Sequence, residues 1–214
     1  MTLGHRLWSA YLAQLHQHPV RVKACTSCTT FTITDVIAQS RERRASTART
    51  TSRRPQHDVM RTVRSGAFGL LWLGPLNHIF WGRTKPFGLE YWFPGPSWPA
   101  VMSRVAIDQA TNMPLNMVAF LAWPHLLQGE FAAAISNVRQ SFWPSFTFAL
   151  SIWPWVHPLS FRYVPLEHRL LVLNVCSLGV FSYATWVSER RGVAGGEAKP
   201  EGGRIRRLPQ LADT

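Results

Sequence analysis

The sequence predicts an all-α fold: a polytopic membrane protein whose four spans form a helical bundle, with an interfacial amphipathic helix before the last span. Three observations lead there. Four stretches, about 19–39, 64–82, 101–123 and 169–188, approach the ~20 residues a helix needs to cross a hydrocarbon core. The segment Trp153 to Arg169 sets aromatics, prolines and arginines directly before an apolar run, Leu170 to Val187. Trp and Tyr favour the membrane–water boundary because their rings are apolar with one polar edge, and Arg anchors to headgroups. Finally, ten Trp and twelve Phe among 214 residues gather near prolines instead of spreading evenly.

The first span opens at Pro19, where a missing N–H costs a helix nothing. Within it Lys23, Ser27, Thr30 and Thr34 form one polar stripe at helical spacing. Asp35 lies near the far end, about 120° round from that stripe, where a carboxylate can reach water. The second span, Ser65 to Gly82, is the most hydrophobic. Gly66, Gly69 and Gly74 offer flat surfaces for a neighbouring helix, and Gly74-Pro75 predicts a kink.

The third span places Arg104, Asp108 and Thr111 on one face, with Asn112 beside them. An unpaired carboxylate at such a depth costs about 2.5–3.5 kcal/mol, so Asp108 belongs in a bundle interior or a wet cavity. Arg104, one turn away, is its obvious local partner. The fourth span carries Asn174, Ser177, Ser182 and Thr185 over a broad face, with Gly179, a composition suited to helix packing.

Between spans three and four, about 137–158 holds Trp143-Pro144 and Trp153-Pro154; its middle is too short to cross and reads as an interfacial helix. Six Arg among Ser, Thr and Ala from Arg41 to Arg54 cannot bury a core, so a loop over about 40–57 is expected to be disordered. The tail 191–214 is expected to be disordered likewise, leaving a membrane bundle over residues 1–190. The Arg-rich loop and the basic tail fall on opposite sides of four spans, so the positive-inside rule leaves orientation open.

The balance of 23 basic against 11 acidic side chains gives +12, which suits anionic lipid headgroups or nucleic acid. A mean hydropathy of −0.04 is depressed by the two polar segments. Three cysteines exclude a disulfide framework, and Cys25-x-x-Cys28 sits in a Thr-rich helical stretch with no βαβ pattern to make it a redox motif. The first twenty residues lack the apolar core of a secretory signal, and Arg6 alone makes a poor mitochondrial presequence.

In the order and spacing of these residues the chain resembles the peroxisomal membrane protein twenty-two / Mpv-seventeen family. Trp8, Tyr11, Leu15, Pro19, Lys23, Thr26, Asp35 and Gln39 stand at the family's spacings near the start. Asp58, Arg61 and Arg64 match its Asp-x-x-Arg-x-x-Arg, followed by Gly69, Gly74-Pro75 and His78; Asp108-Gln109 and Pro114 match its Asp-Gln-x4-Pro. Trp153-Pro154, Phe161, Val164-Pro165 and Arg169 match the pattern ahead of its last span. Departures are Thr34 for Gly, Arg104 for Lys, and His157 and Ser160 for Gln and Asn. The resemblance implies an integral protein of an organelle membrane, the mitochondrial inner membrane favoured over the peroxisomal one, and a poorly selective pore for small solutes.

Two readings of the polar residues stand side by side. In one, Lys23, Ser27, Thr30, Asp35, Arg104, Asp108 and Thr111 line a wet path; in the other they pair inside a closed bundle and hold helix register. A non-conducting scaffold would use Gly69, Gly74, Pro75, Trp153, Pro154, Pro165 and Arg169 to pack helices and to bind partner proteins or lipids. The expected partners are membrane lipids and a homo-oligomer or membrane complex; the solute is undetermined. Nucleic acid is disfavoured because Arg41–Arg54 has no interleaved aromatics. No G-x-S-x-G, H-E-x-x-H, phosphate loop or zinc spacing occurs, so a non-enzyme with no cofactor and no metal site is expected.

Overall fold

Helix-period patterns, frequent helix breakers and few turn signals for hairpins leave the chain helices to build with. The computed structural model describes residues 3–49 and 56–179, and every regular element among them is helical. Helix α1, Leu3–Gln17, is separated by His18 alone from α2, Pro19–Arg49. Backbone bonds from His18 N–H to Gln14 (2.8 Å) and Val22 N–H to His18 (3.1 Å) carry the ladder across the junction that Pro19 interrupts. Helices α3, Val59–Phe68, and α4, Gly74–Trp81, pack antiparallel along α2. A short α5, Leu89–Trp92, leads to α6, Trp98–Ile107, and α7, Met113–Leu126. Helix α8, Phe131–Leu150, turns back along α7; α9, Trp153–Tyr163, lies against α6. A final helix, α10, covers 166–179.

The seam between α2 and the α3–α4 rod explains its glycines. A Cβ on Gly69 would stand 2.5 Å from the Ser27 carbonyl oxygen, and one on Gly74 would stand 2.5 Å from the Ala24 Cα. Both obstacles are backbone, so neither can swing aside. Gly69→Ala is therefore expected to destabilise by about 1–3 kcal/mol, as overpacking does. Gly4→Ala, where no atom lies within 4 Å, serves as the silent control in thermal unfolding of the detergent-solubilised chain.

The predicted kink at Gly74-Pro75 is a π turn instead. Residues Gly69–Leu73 form it, with Gly74 N–H donating to Gly69 O. The same device recurs in the α6–α7 rod: Asp108–Asn112 form a π turn, and Met113 N–H donates to Asp108 O ahead of Pro114. A proline ring crowds the carbonyl four residues back, and in both rods that carbonyl lies in the widened turn. The helical runs 59–81 and 98–126 are thus unbroken.

Two expectations about segments need correction. The loop predicted over 40–57 is helical as far as Arg49, because Ala, Arg and Glu are good helix formers and Gln39 and Glu42 are tied to Asp58 and Arg61 of α3. The predicted interfacial segment 137–158 is two helices, α8 and α9, parted by a turn at Ser151 and Ile152. Asn137 Nδ2 donates to Leu121 O at 2.8 Å, holding α8 against α7. Residues 50–55, the end of the fourth predicted span beyond 179 and the predicted tail lie outside the described residues.

The apolar core gathers Trp81, Leu89, Val101, Val105, Phe161, Leu170 and Leu173. More telling is what else is buried: Lys23, Asp35, Glu90, Arg104, Asp108, Asn112, His157, Arg169 and Asn174 are all under a tenth exposed. Meanwhile Leu71 (65 %), Val63 (57 %), Ile135 (56 %), Trp143 (66 %) and Trp155 (74 %) face outward. Charges inside and large apolar side chains outside invert the usual soluble arrangement. No helix among the described residues is long and apolar enough to cross a membrane.

Candidate functional site

Three polar clusters occupy the interior. The central one is built on the second π turn. Asp108 is fully buried, and a carboxylate there must find donors. Oδ1 accepts from Trp81 Nε1 at 2.6 Å and Asn112 Nδ2 at 2.9 Å; Oδ2 accepts from Gln109 Nε2 at 3.2 Å. His157 Nδ1 stands 2.7 Å from Oδ2, and because a carboxylate only accepts, that nitrogen carries the proton. The lattice continues outward. Asn112 Nδ2 also donates to Asn77 Oδ1 (3.1 Å), Asn116 Nδ2 to Asn112 Oδ1 (3.0 Å), and Trp72 Nε1 to Asn116 Oδ1 (3.0 Å). The two π turns, carrying Trp72 and Asp108, are thereby joined.

This lattice forms part of the wall of a cavity of about 290 Å³. Asn77, Asp108, Asn112, Asn116, His157 and Asn174 supply its polar wall; Phe31, Phe68, Phe120, Phe148 and Trp153 supply much of the rest. Among the described residues neither Lys nor Arg lines it.

The second cluster corrects the predicted Arg104–Asp108 pair. Arg104, 1 % exposed, pairs through Nη1 with Glu90, and its Nη2 donates to Gly95 O at 2.6 Å. Arg169 Nη1 reaches the same Glu90 oxygen at 3.3 Å, and its Nη2 donates to Phe161 O at 3.3 Å. The Phe161 ring lies 5.8 Å from the Arg104 guanidinium carbon and 4.8 Å from that of Arg169. One carboxylate and one aromatic face thus serve two buried cations. Helical neighbours lost to a distant acid because the α5 loop delivers Glu90 and Asp108 is already saturated.

The third cluster corrects the expectation that Asp35 reaches water. It is 7 % exposed: Oδ2 accepts from Thr62 Oγ1 (2.6 Å) and Gln39 Nε2 (2.7 Å), and Oδ1 meets Arg61 Nε at 2.9 Å. Gln39 also accepts the Asp58 N–H at 2.8 Å, and Asp58 caps α3 by accepting from Arg61 N–H. Arg61 grips Glu42 with both terminal nitrogens, at 2.8 and 3.0 Å.

The remaining predicted residues scatter. Lys23, Ser27 and Thr30 are buried, as one inward stripe requires, but only Ser27 bonds across helices, accepting from Asn174 Nδ2 at 3.1 Å. Thr30 donates to Thr26 O of its own helix. Thr111, predicted to share the Asp108 face, is exposed and bonds Ile107 O. A π turn sweeps less angle per residue than an α turn, so the third residue falls short of the face and the fourth, Asn112, arrives instead. Of the predicted polar set only Asp108 lines the larger cavity; Asp35 lines a smaller one of about 160 Å³. Gly69, Gly74 and Pro75 sit at the first π turn. Trp153 and Pro154 open α9, and Pro165 precedes α10 and Arg169.

Glu90, Trp81, Asn77 and His157 were not anticipated as parts of the site. Glu90 had a signal: it is the sole acid between Asp58 and Asp108, surrounded by buried-type neighbours. His157 had one too, as a titratable departure beside Trp153-Pro154.

Fold and lattice together define an all-α bundle with a charged, hydrogen-bonded interior and an apolar exterior. The chain belongs to the Mpv17 / PMP22 family, whose pattern matches residues 125–184. It is 32 % identical over 170 residues to protein sym1 of Aspergillus oryzae, covering 79 % of this chain and 90 % of that one. It is 26 % identical to the mitochondrial inner membrane protein Mpv17 of Xenopus laevis, over 86 % of this chain and 98 % of the relative. Identity is also 26 % to peroxisomal membrane protein 2 of Bos taurus, over 85 % and 89 %. No solved structure matches. The relationship makes this an organelle membrane protein.

Proposed function

We propose that the chain is a four-span bundle conducting small solutes through the cavity beside Asp108, and that it performs no catalysis. The observation that supports this is the union of a polar lattice with a roomy interior cavity inside an apolar exterior. Counted through their π turns, the runs 59–81 and 98–126 extend about 34 and 43 Å at 1.5 Å per residue, enough for a ~30 Å core. Phe68 and Phe120 line both this cavity and the smaller one, and with Phe31 they form a trio with ring centroids 5.3–6.1 Å apart, which in this reading is the gate between the two.

Solute flux through vesicles containing the purified chain tests the reading. Ser145 lines the cavity; Ser145→Trp should fill it and lower flux while the Asp108 lattice stays intact. A wild-type chain giving no flux, or a Ser145→Trp chain conducting as well as wild type, removes the pore. The runner-up is a non-conducting scaffold, favoured by one fact: each Asp108 oxygen already holds two donors, leaving little for a passing solute. Of the two compartments named among its relatives we favour the mitochondrial inner membrane, and imaging of a tagged chain decides it.

A further inference from the structure

The smaller cavity, where α2, α3 and α7 meet, has two unlike walls. Arg61, Arg64 and Asp35 form one; Phe68, Phe120 and Trp123 form the other. The Arg61 charge is already matched by Asp35 and Glu42. Arg64, one turn further along α3, has no carboxylate partner among the described residues; Asp58, the remaining acid nearby, is the helix cap. Trp123 Nε1 donates to the Arg64 main-chain carbonyl at 2.9 Å, which ties the aromatic wall to the stretch of α3 that carries this cation. Beside them Met60 and Val63, each 57 % exposed, extend an apolar surface outward. The helical extension of α2 brings Arg41, Arg43 and Arg44 to the same end of the bundle.

We infer that this cavity binds the phosphate of an anionic membrane phospholipid, with Arg64 as the anion's ligand. A guanidinium matches phosphate geometry with paired N–H donors, and basic pockets between helices are suited to lipid headgroups. A free phosphate ester would use the cation but has no need of the aromatic wall or the greasy flank, which together fit a lipid's apolar portion. Nothing in this requires conduction, so a failed flux experiment leaves it standing.

The test uses the full chain in phosphatidylcholine nanodiscs with or without a minor fraction of fluorescent phosphatidylglycerol. Wild type should enrich the anionic lipid, and Arg64→Gln should weaken its binding about fivefold, the worth of one cation near a headgroup. Arg64→Lys, which keeps the charge, should retain most of it, and Arg139→Gln on α8 should change nothing. Unchanged binding in Arg64→Gln overturns the site. A drop in the Arg139→Gln control equal to that of Arg64→Gln overturns it too, by showing only bulk charge attraction. Displacement of the lipid by inorganic phosphate alone overturns the assignment to a lipid, whereas resistance to it supports one.

Discussion

Glu90→Gln is expected to be the most damaging single substitution in the chain, destabilising by about 3–5 kcal/mol. Two guanidiniums, 1 % and 4 % exposed, share that one carboxylate, and a neutral amide leaves both charges uncompensated in a place water does not reach. The Phe161 ring offers each only a partial substitute. Arg104→Gln and Arg169→Gln should each cost less, because one cation then remains paired with Glu90. Thermal unfolding in detergent, read by tryptophan emission, checks the ranking. If the arginine substitutions prove as harmful as that of the acid, the shared-carboxylate account is wrong.

The second large effect is expected at Asp108. Asn is nearly the same shape, but one of its two heads is a donor, and the carboxylate accepts from donors on both oxygens. Turned toward Trp81, its N–H₂ meets an indole that can only donate; turned the other way, it forces Gln109 to flip and His157 to change tautomer. Asp108→Asn should therefore cost about 3 kcal/mol or more, loosening Trp81 and His157 together. Thr111→Val, three residues along but exposed, should cost almost nothing. Because Arg104 and Asp108 lie in separate networks, their substitutions should add to within about 0.5 kcal/mol. A strong coupling would restore the local pair that helical spacing alone suggests.

These two cases show what was legible in the sequence and what was not. That Asp108 turns inward followed from the cost of a charge against hydrocarbon, which needs no knowledge of neighbours, whereas Lys23 was placed inward only by the spacing of its polar stripe. The identity of the partners did not follow, since Asp108 finds Trp81 and Arg169 finds Glu90 across 27 and 79 residues of chain. Helical arithmetic failed at Thr111 because it assumed a uniform turn, and nothing local distinguishes Asp108–Asn112 from an α segment except Pro114 just beyond. The Arg-rich stretch was misread from the opposite side. Its composition excludes a core but not a helix, and Glu42 gives that helix something to hold.

The long-range partnership of acids with later residues has a consequence for biogenesis. The ribosome makes Glu90 and Asp108 well before it makes His157 and Arg169. An emerging chain therefore carries two carboxylates that each lack one final partner, Asp108 its His157 and Glu90 its Arg169. Final docking of the C-terminal third is then the event that closes the ledger of charge. Nascent chains arrested before Arg169 would be natural prey for membrane quality control.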